Sequence, residues 1–290
     1  MPAGNLIDLR RRVRSVRNIQ QITRAMRFVA ASKLRRAQNR IFAARPYAER
    51  MLAVLNSLAT RVDPAQHPLL RQREIERVLL IVVTADKGLC GAFNTNIIRA
   101  ATQYIRDEAT NKNLSLSLVG RKATEWFRKR PWPIRHEYVN IMSRVDYSYA
   151  QEIAGAVVEY YTESEVDAVY LVYNEFKSVM QQKVVVEPLL PIRRLEISQT
   201  EALLDYLYEQ PPAVIFDHLL PRHVETQVFR AMLESEASEH GARMTAMESA
   251  SRNAGEMLET ITLHINRVRQ ASITNEIIEI VSGAEALGEA

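Results

Sequence analysis

The chain has one cysteine, Cys90, among its 290 residues. No internal disulfide can form, and a reducing or indifferent compartment suits it. No apolar run approaches the ~20 residues that cross a bilayer, and the basic N-terminus lacks an apolar core with a small-residue cleavage site. The expectation is a soluble chain that meets a membrane only through another protein. Proline is missing from Arg222 to Val281. That gap permits one helix of roughly 60 residues, about 90 Å long, with Gly283 as a stop signal. Gly241 and Gly255 each cost such a helix about 1 kcal/mol relative to alanine. Aromatic residues are scarce in the basic N-terminal stretch, where only Phe28, Phe42 and Tyr47 occur. Nucleic acid recognition by base stacking therefore has little to work with, although Arg10, Arg11, Arg12, Arg14 and Arg17 could track a phosphate backbone.

The remaining composition, 47% hydrophobic and 25% charged, is that of ordinary globular material. The C-terminal seventy residues organise it. Met247, Ala250, Ala254, Met257, Ile261, His264, Val268 and Ala271 recur by alternating threes and fours, a coiled-coil seam. The N-terminus carries a matching pattern. Asn5 can cap a helix with Asp8 in its first turn. The apolar stripe runs Leu6, Leu9, Val13, Val16, Ile19, Ile22, Met26, Val29 or Ala30, Leu34, Ala37, Ile41, Ala44, Ala48, Met51, Leu55 and Leu58. That helix would span about 80 Å, bent rather than redirected at Pro46. Fourteen Lys and Arg face two acidic residues between Met1 and Arg61, a balance of +12. From Arg222 to Ala290 six Arg face eleven Glu, a balance of −5. Helices of opposite sign should attract and can be each other's partner.

Between them the period changes. Arg77–Thr84, Leu114–Gly120 and Ala168–Tyr173 read as buried strands, with Lys183–Glu187 as an edge strand. Asn94–Asn111, Arg121–Arg130 and Ala150–Tyr161 read as helices. Strands alternating with helices predict a largely parallel sheet. The expected fold class is α/β plus long α: an antiparallel coiled coil of N- and C-terminal helices with an inserted Rossmann-like α/β domain. The boundaries are 1–61 for the first helix, 70–212 for the domain and 213–290 for the last helix.

No catalytic constellation emerges. Thr84–Asn94 (TADKGLCGAFN) follows a strand and precedes a helix, where a phosphate loop would lie. It is neither G-x-x-x-x-G-K-[ST] nor a three-glycine dinucleotide turn, and Gly88 and Gly91 serve a tight structural turn equally well. Cys90 could be a nucleophile only with a base beside it, and no histidine, His67 included, can be placed there from sequence. A small buried filler is the plainer reading. His218 and His223 lie five apart with no cysteine near, so no metal site is expected. The Arg128–Pro133 segment (RKRPWP) reads as a solvated corner. No cofactor is expected.

Three stretches resemble the γ subunit of F-type ATP synthase: Ile19–Lys33 (IQQITRAMRFVAASK), Asp86–Phe93 (DKGLCGAF) and Asn266–Ala284 (NRVRQASITNEIIEIVSGA). The resemblance implies a non-catalytic central rotor of the proton-translocating enzyme, coupling rotation of a ring of c subunits to cycling of the catalytic β subunits. The implied partners are the hexamer of α and β subunits, the ε subunit and the c-ring, with membrane association through that ring. It implies contacts of Arg269, Gln270 and Met26 with β, with Arg24 and Arg27 nearby. It further implies an apolar bearing tip including Ile273, Ile277, Ile280 and Val281, and c-ring contacts by Tyr206, Tyr208 and Glu209. Pro221 departs from the family pattern, so the last helix is expected to kink there or begin after it. The paired cysteines of the chloroplast members are missing, and no long transit segment precedes Asn5. A peripheral protein on the cytoplasmic face of a bacterial inner membrane is the expected placement. A nucleic-acid-binding coiled-coil adaptor is the alternative.

Overall fold

The computed structural model describes residues 6–59, 67–71, 73–178, 181–192 and 210–288. Its elements run α1 (Leu6–Ala59), a 3-10 turn (Pro68–Leu70), β1 (Arg77–Val83), α2 (Phe93–Glu108), β2 (Asn113–Val119), α3 (Arg121–Phe127), β3 (Ile134–Tyr138), α4 (Tyr147–Thr162), β4 (Ala168–Phe176), β5 (Gln182–Leu190) and α5 (Pro212–Gly288). The helices α1 and α5 hold 54 and 77 residues. The chain divides into two units, one formed by 1–29 with 244–290 and the other by 30–243.

In the larger unit a five-stranded sheet has the order β3-β2-β1-β4-β5. Its pairings are parallel except β4 with β5. The RVLLIVV run of β1 supplies both faces, because successive side chains alternate across a strand. Val78, Leu80 and Val82 pack beneath α2 and α3 with Phe93, Ile97 and Phe127. Leu79, Ile81 and Val83 pack on the other face with Ile153 and Val157 of α4, Leu55 and Leu58 of α1, and Phe216, Leu220 and Val224 of α5. A strand buried on both sides shows no alternation in sequence, which is why β1 reads as a continuous apolar run.

Two expectations about α5 change. It starts at Pro212 and continues through Pro221, so Pro221 neither starts nor ends it, and Gly283 does not stop it. The buried face of the helix holds it across the proline: Phe216, Leu220, Val224 and Val228 are all essentially inaccessible. Packing of that size outweighs a local preference of a few kcal/mol. Pro46 likewise lies inside α1. Asn5, the expected cap, lies outside the described residues; Asp8 stands in the first turn and pairs with Arg11 at 2.8 Å.

β3 has no counterpart among the expected strands. Its sequence, IRHEY, is mostly polar, and every side chain is half-buried. As an edge strand it is held by pairing with β2 and by local contacts: Arg128 pairs with Glu137, and His136 Nε2 lies 2.6 Å from the Tyr160 hydroxyl. The neighbouring RKRPWP segment is less of a solvated corner than its composition suggests. Trp132 is half-buried and stacks with Trp126 at 6.4 Å, while the Arg130 guanidinium lies over Trp126. No helix among the described residues is long and apolar enough to cross a membrane.

Candidate functional site

In the smaller unit the two chain ends pair antiparallel. Gln20 Nε2 donates to the Ser251 carbonyl at 3.4 Å, and Arg27 pairs with Glu248 at 3.2 Å, so numbers rise along α1 as they fall along α5. Opposite charge helps choose the partner, but an ion pair this exposed contributes about 0–1 kcal/mol. The apolar and small residues between the helices carry the rest. A Cβ built on Gly255 would lie 3.1 Å from Gln20 Nε2, so the glycine marks a close approach.

The seam differs from the expected one by a single residue at alternate positions. Met247, Ala254, Ile261 and Val268 face the partner as expected. Met257 is 52% exposed, and His264 and Ala271 are also exposed, whereas Leu258, Ile265 and Ser272 are half-buried. On α1, Gln20 and Thr23 turn inward while Ile19 and Ile22 are 49% and 58% exposed. The physical reason is that i+3 and i+4 neighbours both lie on one helix face, so the alternation can begin with either step. Thr23 is tolerated inside because its hydroxyl donates to the Ile19 and Gln20 carbonyls, each at 3.0 Å. Leu258→Asp should therefore raise amide exchange across 6–29 and 244–272 by weakening the pair about 1–3 kcal/mol, while Met257→Asp should stay within about 0.5 kcal/mol of the parent. Equal effects would return the seam to its sequence-based register.

The inward shift leaves apolar groups outside. Ile7, Ile19, Ile22, Phe28 and Val29 on α1 are each about half exposed or more. Past Ser272 every described side chain of α5 is exposed up to Ser282. The pairing register sets this overhang: α1 begins at Leu6, which falls opposite roughly residues 265–269. Ile273, Ile277, Ile280 and Val281, with Ile278, are thus an apolar helical end with no described partner, their exposures running from 49% to 71%. Arg269 and Gln270 are exposed just before it, and Thr274 Oγ1 donates to the Gln270 carbonyl. Met26 is half-buried; Arg24 is exposed, and Arg27 is committed to Glu248 and to the Phe28 ring at 4.9 Å. Tyr206, Tyr208 and Glu209 lie outside the described residues.

The DKGLCGAF loop, in the larger unit, is a structural knot. Asp86 accepts the backbone N–H groups of Arg121, Asn140 and Met142 at 3.1, 2.8 and 2.9 Å, so it occupies the start of α3 with its own carboxylate. Asn94 Oδ1 accepts from Ala85 N, and Leu89 and Gly91 adopt positive φ. Cys90 is 1% exposed, and burial pushes its thiol up from the usual range, the opposite of what a nucleophile needs. His67 lies by Asp217 and Phe216, where its Nδ1 accepts from Leu69 N. His218 is exposed while His223 is buried, so the two do not share a face. Desolvation lowers His223 to about 4. Among the described residues no three His, Cys, Asp or Glu side chains are grouped to hold a metal.

These features define a class: a protein whose chain ends pair as an antiparallel coiled coil and whose middle forms an α/β domain with a five-stranded, largely parallel sheet. The ATP synthase family profile matches residues 5–287. The ATP synthase gamma chain of Solibacter usitatus is 50% identical over 286 residues, covering 97% of this chain and 99% of that one. That of Geobacter metallireducens is 48% identical, covering 98% and 99%. The central stalk and c-ring structure of Tetrahymena thermophila mitochondrial ATP synthase contains a chain similar at 29% identity and TM-score 0.60, covering 79% of this chain and 99% of that one. A chain of the Euglena gracilis F1 and c-ring assembly shares the fold at TM-score 0.66 and 21% identity, covering 97% and 94%. The chain belongs to the γ-subunit family of F-type ATP synthases.

Proposed function

We propose that this chain is the axle of a rotary ATP synthase, turning inside a hexamer of α and β subunits while its other end rides on the c-ring beside an ε subunit. As a γ-family member it is a non-catalytic part of the membrane-associated complex. The observation that carries the mechanical reading is the unpaired end of α5: an axle turning in a sleeve needs an apolar surface with few fixed hydrogen bonds, and Ile273, Ile277, Ile280 and Val281 offer one. Just below, exposed Arg269 and Gln270 can make charge-assisted hydrogen bonds to a β subunit in one rotor orientation and release them in the next. Met26, half-buried beside exposed Arg24, fits a contact with the lower part of β. Tyr206, Tyr208 and Glu209 are assigned to the polar loops of the c-ring on resemblance alone. The domain limits 1–61, 70–212 and 213–290 divide the chain into the two strands of the axle and the body between them. The relatives from Solibacter usitatus and Geobacter metallireducens are bacterial chains, which favours the cytoplasmic face of a bacterial inner membrane, reached through the ring.

The test is purification of the tagged chain from gently solubilised membranes, followed by native mass measurement. The expected product contains α, β and ε chains with the c-ring. Recovery of the chain alone, or bound to nucleic acid, would overturn the axle reading.

A further inference from the structure

Open sheets of this kind bind ligands outside the carboxyl ends of the strands, where the strand order reverses. Here that point lies between β1 and β4. Its occupant is the chain's own α5. Ser238 Oγ donates to the Asn174 carbonyl at 3.2 Å, near the carboxyl end of β4. Arg243 reaches the loop after β1, where its Nε and Nη2 donate to the Gly88 carbonyl at 3.4 and 3.1 Å. Ala242 packs against the core beneath α2. Ala231, Ser235 and Ser238 are fully buried and small, which lets the helix backbone come close to the sheet.

The polar part of this joint is unusually enclosed. Arg243 pairs with Glu239 at 2.6 Å, their side chains only 12% and 6% exposed. Arg243 Nη1 also lies 3.3 Å from His240 Nδ1. One guanidinium thus ties two neighbouring side chains of α5 to a loop carbonyl of the α/β domain. Hydrogen bonds of this type are directional and, where water is excluded, strong. The apolar faces around them are not directional, so sliding or rotation of α5 at this end of its bed is opposed by the guanidinium together with the Ser238 bond, while Arg230 with Glu187 and Tyr147 with Glu225 hold the helix further toward its start.

We infer that Arg243 is a positioning residue whose bonds to Gly88 and Glu239 fix the rotation and register of α5 in this crevice, so that turning force passes between the α/β domain and the helix through that joint. The inference rests on the axle reading. It also gives DKGLCGAF a role that neither nucleotide binding nor thiol chemistry supplies: the loop presents the Gly88 carbonyl.

Arg243→Ala alone would strand the buried Glu239 carboxylate, so the decisive variant is the neutral pair Arg243→Met with Glu239→Gln, which keeps volume without leaving a lone charge. In inverted membrane vesicles carrying the assembled enzyme, ATP hydrolysis is expected to stay near the parent's rate while protons pumped per ATP fall by roughly half or more, as expected for loss of two charge-assisted contacts. Introducing Gly88→Cys and Arg243→Cys with Glu239→Gln and Cys90→Ser, then joining the two thiols with a short bismaleimide, should restore pumping per ATP. Gly88 is exposed and has open space where a side chain would begin, so the site admits the change. Unchanged pumping per ATP in the neutral pair, or no recovery on linking, would overturn the joint. If the neutral pair does not assemble, amide exchange of the isolated chain decides: faster exchange over 84–93 with β1 unchanged supports the joint, and unaltered exchange refutes it. Failure of the axle reading is distinguishable, since there the parent chain itself would not purify with the complex.

Discussion

Replacing Arg269 and Gln270 together by alanine is expected to lower ATP synthesis in membrane vesicles about tenfold, the scale of losing one charge-assisted contact. Both side chains are exposed, so the variant should fold and assemble as the parent does. The loss should appear in turnover rather than in the amount of assembled enzyme, because neither side chain packs in the seam formed by Met247, Ala254, Leu258, Ile261, Ile265 and Val268. Restoring arginine alone should recover most of the rate if its cation is the dominant partner. Unchanged synthesis in the double variant would remove the β contact from these positions. The apolar end beyond Ser272 would then carry the interaction with the sleeve by itself.

The second large effect concerns stability. Gly120→Ala should destabilise the α/β domain by about 3 kcal/mol or more, combining a strained backbone with a backbone clash. Gly120 has a φ of 92°, a region that favours glycine, and an added Cβ would sit 2.1 Å from the Thr84 carbonyl oxygen. Neither side can yield cheaply. Thr84 N donates to the Val119 carbonyl, Thr84 Oγ1 accepts from Ala123 N, and Gly120 N donates to the Tyr138 carbonyl at the end of β3. A shift here would disturb β1, β2, β3 and the start of α3 together. Urea unfolding followed by circular dichroism measures the change. A loss under about 0.5 kcal/mol, the range of an ordinary surface substitution, would show that the turn relaxes freely.

Much of this architecture is legible in the residues. The long terminal helices follow from apolar positions repeating by threes and fours, and the RVLLIVV run of β1 could be little but a buried strand. The charge difference between the chain ends pointed to their pairing, and Arg27 with Glu248 and Arg40 with Glu236 form such pairs. Other features were not legible, for identifiable reasons. IRHEY carries no strand signal because an edge strand is specified by what it pairs with. The seam could begin on Met257 or Leu258, and only the partner helix chooses. Pro221 reads as a break because its effect is local, whereas the apolar contacts that keep α5 helical through it come from residues far away in sequence. The site was legible chiefly through family resemblance: nothing in the spacing of Arg269 and Gln270 distinguishes them from any exposed helix pair.

By itself, then, the sequence determined periodicity, charge sign and the places where a backbone can turn, all properties of neighbours along a chain. Tertiary structure alone decided which face of each helix is covered, how far α5 runs past its partner, and that the ligand crevice of the sheet holds the chain's own helix through Ser238 and Arg243. Those outcomes depend on free energies summed over residues distant in sequence, where burial of many apolar groups overrides any single local preference.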